Sequence, residues 1–165
     1  MDAQDWEARV AALWTAFDDH DPDDFVARVE ALAAELPEGD ARGLFERACA
    51  QDSTGHEAEA ERLYRAAMDA GLTGIRRRRA AIQYASTLRN LGRADESARI
   101  LFLERQAGSD ELDDAVAGFL ALALADLGRE REAASLALGA LAPHLPRYQR
   151  SLANYAADLV TQATE

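Results

Sequence analysis

The chain has 165 residues, a formal net charge of −12, 48% hydrophobic and 7% aromatic residues, and one cysteine, Cys49. That length fits one domain with a real core, and a lone cysteine excludes an intramolecular disulfide framework or a thiolate metal cluster. The acidic balance argues against general nucleic-acid affinity, which rests on phosphate neutralisation, and charged residues interrupt every apolar run before it reaches membrane-spanning length.

The N-terminus, MDAQDWEARV, lacks the basic and apolar regions of a signal peptide, so the expected compartment is the cytoplasm. Alanine and leucine dominate and β-branched residues are few, which favours helix over sheet. The charge is uneven: residues 1–61 carry 17 acids and 4 arginines, residues 62–165 carry 13 acids and 14 arginines, and there is no lysine.

In chain order, the first predicted helix runs from about Gln4 to Asp19, with Trp6, Val10, Leu13, Trp14 and Phe17 on one stripe. His20-Asp21-Pro22 is the turn, with Asp21 as N-cap and Pro22 at the first helical position. The second helix reaches Leu36 through Phe25, Val29, Leu32 and Ala33, and Asp40 caps the third, which carries Leu44, Phe45, Ala48 and Cys49. The fourth helix holds Ala60, Leu63, Tyr64 and Ala67 and ends at Gly71. Thr73 or Gly74 opens the fifth, with the run Arg76 to Arg79 and then Ile82, Ala85 and Leu88, ending at Gly92. The sixth spans about Ala94 to Ala107; Ser109 caps the seventh, which carries Val116, Phe119, Leu120 and Leu124 and stops at Gly128. The eighth holds Ala133, Leu136, Ala137 and Leu141 and is bracketed by Pro143 and Pro146. The ninth, from about Arg147 to Gln162, has Tyr148, Leu152, Tyr155 and Leu159 on one side.

The clearest unit lies between Tyr84 and Leu103, two helices joined by a very short turn at Gly92. The turn centres His20, Gly55, Gly92 and Gly128 are 35, 37 and 36 residues apart. A nearly fixed period of that size signals stacked hairpins, each leaving one face open until a neighbour covers it.

LGRADESARIL and LGREREAASLAL, with Gly55, Ala60, Tyr64 and Ala67 in the preceding unit, resemble the turn and second helix of a tetratricopeptide repeat. Small residues such as Ser97 and Ala133 fall where two helix backbones cross closely. The first-helix Trp-Leu-Gly signature is degraded, and only Pro37 sits where the family's closing proline belongs; Leu72 and Leu145 take that place elsewhere. The resemblance implies an all-α, right-handed α-solenoid of about four helix-turn-helix repeats (about 4–37, 41–72, 74–107 and 110–145) plus a capping helix over 147–163. It is similar to a divergent bacterial group of small proteins thought to form homodimers, and it carries no cofactor.

In such a fold the first helix of each pair lines the concave side. The resemblance therefore places Trp14 and Phe17, Arg42 and Phe45, Arg79, Ile82, Ser86 and Arg89, and Leu122 in a partner-binding groove suited to an extended peptide or helix. Relatives that clamp a C-terminal carboxylate use lysine and asparagine there. Here Val10, Trp14, Phe45, Cys49, Ile82 and Ser86 occupy those places, so that activity is not expected. The four arginines Arg76–Arg79 read first as a solvated face pairing with acids such as Asp69, and second as a grip for an acidic partner. The alternative reading of Trp14, Phe17 and Phe45 is inter-repeat core.

Cys49 reads as a buried inert thiol. His20, His56 and His144 are too scattered for a metal site or a catalytic triad. No phosphate loop or nucleophile elbow occurs. The expectation is a non-enzymatic protein-protein interaction module that binds a peptide or partner protein and self-associates as a homodimer, since Trp6 and Trp14 lie at a chain end where no earlier repeat covers them. The alternative is a trans-acting peptide- or ligand-sensing regulatory domain. Neither reading involves nucleic acid or a membrane.

Overall fold

The computed structural model describes residues 3–161, and among them the regular structure is helical: nine α-helices and two 3-10 turns, with no strand. They are α1 (Ala3–Thr15), α2 (Pro22–Ala33), α3 (Ala41–Ser53), α4 (Glu57–Asp69), α5 (Gly74–Asn90), α6 (Ala94–Ala107), α7 (Asp113–Asp126), α8 (Glu130–Leu141) and α9 (Gln149–Thr161). The chain forms two compact units, Met1–Ala80 and Ala81–Glu165, and the boundary falls inside α5. Within each unit, neighbouring helices pack in succession. The fold class is an all-α helical repeat.

The turns explain the period. At Gly55, Gly71, Gly92 and Gly128 the backbone has φ of +81°, +88°, +79° and +71°, a region that costs any residue with a Cβ. The amide of the following residue donates to the carbonyl five positions back: His56 to Gln51 at 2.9 Å, Leu72 to Ala67 at 3.2 Å, Arg93 to Leu88 at 2.9 Å and Arg129 to Leu124 at 2.9 Å. Each glycine amide also donates three positions back, which completes a Schellman cap. At the second of these turns Leu72 is buried and supplies the hydrophobic contact usual for that cap, in the place the closing proline would take.

The first repeat ends its helix differently. α1 stops at Thr15, and a 3-10 turn, Phe17–Asp19, follows instead of helix to Asp19. His20 has φ −116°, so nothing there requires glycine. α2 ends at Ala33 rather than Leu36. Asp21 occupies the N-cap of α2, but its side chain makes no capping bond, whereas the Asp40 carboxylate accepts the Arg42 amide at 2.9 Å.

The Ser109 cap is also corrected. α7 begins at Asp113, and Asp110 shapes the preceding turn by accepting the Leu112 amide at 2.8 Å. In α9, which begins at Gln149 rather than Arg147, the packed stripe is Leu152, Ala156 and Leu159; Tyr155 is 69% exposed, and Tyr148, just before the helix, is 75% exposed.

The expected small residues sit inside: Ala60, Ser97 and Ala133 are buried. In the second unit the core is Ile82, Ala85, Ala98, Leu101, Val116, Leu120, Ala121, Ala123, Leu124 and Ala133. In the first unit Phe25 and Val29 pack with Ala50 under Leu13, Trp14, Phe17 and Val26. No helix among the described residues is long and apolar enough to cross a membrane.

Candidate partner-binding faces

In the first unit, side chains from α1, α3 and α5 meet around Phe45, which has no exposed surface. The guanidinium carbons of Arg76 and Arg79 stand 5.8 and 5.4 Å from its ring centre, within cation–π range. Arg76 donates to both oxygens of Glu7 on α1, at 2.6 and 3.1 Å, and lies 3.4 Å from Glu46 on α3. Phe45 is therefore a floor covered by two arginines, and the expectation that it faces a groove is overturned.

Glu46, one residue on, is 4% exposed. Its Oε2 accepts the Trp14 Nε1–H at 2.8 Å. Burial pushes its carboxyl above the usual glutamate range; the Trp14 hydrogen bond and the charges of Arg76 and Arg79 pull the other way without cancelling it. Trp14 also stacks 6.0 Å from Phe17, and both rings meet Phe25 edge-on at 4.9 and 4.8 Å. Trp14 and Phe17 are thus half-buried parts of the core of the first repeat.

The run Arg76–Arg79 is a solvated face only in part, with Arg77 and Arg79 exposed. Arg76 is held by Glu7 and Glu46 rather than Asp69, Arg78 is 7% exposed, and Arg79 lies over Phe45. Arg42 forks onto Asp40 at 2.9 and 3.1 Å while its guanidinium carbon covers the Trp6 ring at 5.6 Å. Trp6 has no exposed surface and donates its indole N–H to the Leu32 carbonyl at 2.8 Å. It is not an uncovered apolar end, so the physical motive for pairing through it is withdrawn.

Cys49 is 2% exposed, and burial, with Glu46 adding to it, pushes its thiol up to about 12. Tyr64 is also raised by burial, and its hydroxyl donates to Asp52 at 3.2 Å, tying α4 to α3. His20, His56 and His144 bond to Asp24, Thr54 and Asp114 separately. No group of three or more His, Cys, Asp or Glu among the described residues could hold a metal ion.

In the second unit Ile82 is 4% exposed and packs into the core, so it is not groove surface either. Ser86 and Arg89, further along α5, remain partly accessible. Arg89 pairs with Asp126 of α7 at 2.6 Å. One turn before Asp126, Leu122 is 46% exposed, with Gly118 and the exposed Ala125 as its neighbours on the helix surface. Of the nine expected residues, then, Ser86, Arg89 and Leu122 share a face in this unit. Arg42 and Arg79 border the first unit's charged cluster, and Trp14, Phe17, Phe45 and Ile82 support from beneath.

Sequence reasoning missed Glu7 and Glu46. For Glu46 a signal was present: an acid between Phe45 and the run Ala48, Cys49 and Ala50, all buried on the same helix. Glu7 lies 69 residues from Arg76, and nothing in the local pattern links them.

A family model described as Tetratrico peptide repeat matches residues 41–159, from the start of α3 through most of α9. No curated protein and no solved structure matches the chain.

Proposed function

The chain belongs to the tetratricopeptide-repeat family, whose members generally mediate protein–protein contacts as non-catalytic scaffolds, and we propose that it binds a partner polypeptide on the first-helix face of its second unit. The observation that carries this reading is the setting of Leu122. A leucine left 46% exposed in mid-helix between Gly118 and Ala125 lets a partner backbone approach closely. Ser86 and the Arg89–Asp126 pair supply polar groups beside it. A partner carboxylate would compete with Asp126 for the Arg89 fork, which is 28% exposed. Arg79 and Arg42 extend the same preference for acidic segments to the first unit.

The test is affinity capture from lysate of the native host with wild type, Leu122→Asp, Arg89→Ala and, as a control on another surface, Leu103→Asp. A partner that binds wild type and the control but is lost with Leu122→Asp and weakened with Arg89→Ala supports the assignment. Capture unchanged by either substitution removes it.

Self-association belongs to the same reading, as a homomeric contact made elsewhere than at Trp6.

A further inference from the structure

The loop between α8 and α9 presents an unusual side chain. Tyr148 has φ +70°, the one non-glycine residue with positive φ among those described, and is 75% exposed. A bulky residue in that region is strained, and strain persists only where the surroundings impose it. Here Gln149 imposes it: its side-chain amide donates to the carbonyls of Pro143 and Leu145, both at 2.9 Å. Pro143 and Pro146 stiffen the same segment. The Tyr148 carbonyl accepts the Leu152 amide at 2.9 Å, so the ring projects from a fixed point at the start of α9. Tyr155, 69% exposed, lies seven residues on, within α9. Arg147 and Arg150 flank Tyr148, both exposed and neither with a partner among the described residues.

Like Arg99 and Arg105 on α6, these two arginines are left unpaired among the described residues of an acidic chain. It has 30 acids for 18 arginines, so carboxylates are plentiful. Tyrosine and arginine held rigidly at a surface are the residue types that dominate binding hot spots. The complementary feature lies in the first unit. Asp18, Asp19, Asp21 and Asp23 crowd the α1–α2 turn, all exposed and none with a partner among the described residues. That turn is itself fixed by the Phe17–Phe25 edge contact at 4.8 Å.

We propose that Tyr148, Tyr155, Arg147 and Arg150 form a docking surface for the aspartate-rich α1–α2 turn of a second copy of this chain. The contact is heterologous, since one surface meets a different one on its neighbour. It therefore joins copies head-to-tail, in a closed ring or an open series. Because it is partly electrostatic and exposed, it weakens as salt rises. This deepens the self-association proposed above and rests on that reading.

The test uses the full chain in analytical ultracentrifugation at low and high salt, with circular dichroism as the folding control. Wild type should associate with rising concentration at low salt and dissociate at high salt. Arg147→Glu/Arg150→Glu alone and Asp18→Lys/Asp19→Lys alone should each stay monomeric. An equimolar mixture of the two should associate again, because the intact turn of one copy meets the intact cap of the other and the reversed lysines meet the reversed glutamates. Tyr148→Gly suits the backbone better than tyrosine, so a loss of association by about tenfold or more with that variant cannot come from unfolding. An oligomer that survives both charge reversals would keep self-association and overturn this surface. A wild type that stays monomeric at high concentration and low salt would overturn both.

Discussion

Replacing Glu46 separates two roles that a buried carboxylate can have. It accepts the Trp14 indole N–H at 2.8 Å and sits 3.4 Å from Arg76, which already has both oxygens of Glu7. The Arg76 contact is long, and burial has pushed the carboxyl upward, so the fold favours a neutral group there. Glu46→Gln keeps an acceptor for Trp14 and removes the buried charge; it should unfold in urea within about 0.5 kcal/mol of wild type, or slightly above it. Glu46→Ala strands the indole N–H and should cost about 1–3 kcal/mol. For a chain of this size, that is a melting-point fall of about 2–4 °C per kcal/mol.

The pH dependence has a definite sign. A carboxyl raised in the folded state gives stability that is complete below its unfolded value and lost as pH rises through the folded one. Wild type should therefore lose ground to Glu46→Gln as pH climbs from the ordinary glutamate value of 4.5. Urea melts followed by circular dichroism and tryptophan emission, repeated across mildly acidic to neutral pH, would measure this. If Glu46→Gln is as damaging as Glu46→Ala at neutral pH, the ion pair with Arg76 outweighs the hydrogen bond and the reasoning fails.

Trp6→Ala should cost about 3–5 kcal/mol in the same melts, as expected for a fully buried indole that also loses its bond to the Leu32 carbonyl; a near-neutral effect would mean the ring is not packed. Gly92→Ala should cost about 1–2 kcal/mol from φ +79° alone, since a Cβ there meets nothing within 4 Å; a silent substitution would contradict the turn geometry. Cys49, with its thiol pushed up to about 12, should resist alkylation in the native protein near neutral pH and react on unfolding; rapid native labelling would show access to α3 that the packing does not provide.

The turns and hairpin crossings were legible because they are local. A glycine that must take positive φ, followed three to five residues on by a small residue, needs no partner to be recognised. Gly92 with Ser97 and Gly128 with Ala133 behave that way. His20 broke the pattern for an equally local reason, a 3-10 turn that lets the chain reverse without a left-handed residue. What a stripe of apolar residues could not reveal was its covering. Phe45 and Ile82 have the spacing of groove residues, yet Arg76 and Arg79 lie over the first, and the second joins a ten-residue core cluster. The Glu7–Arg76 contact depends on how α1 and α5 approach, which helical periodicity does not encode. Tyr148 was placed on the packed side of α9 by its spacing from Leu152; the Gln149 hydrogen bonds, which set the loop, turn it outward.

The most direct measurement is amide hydrogen exchange on the full chain with and without the captured partner. New protection should appear in the α5 segment 81–90 and in α7 around Leu122, with the α6 surface at Leu103 unchanged. Protection confined to α6 and α8, or none in α5 and α7, would contradict the account.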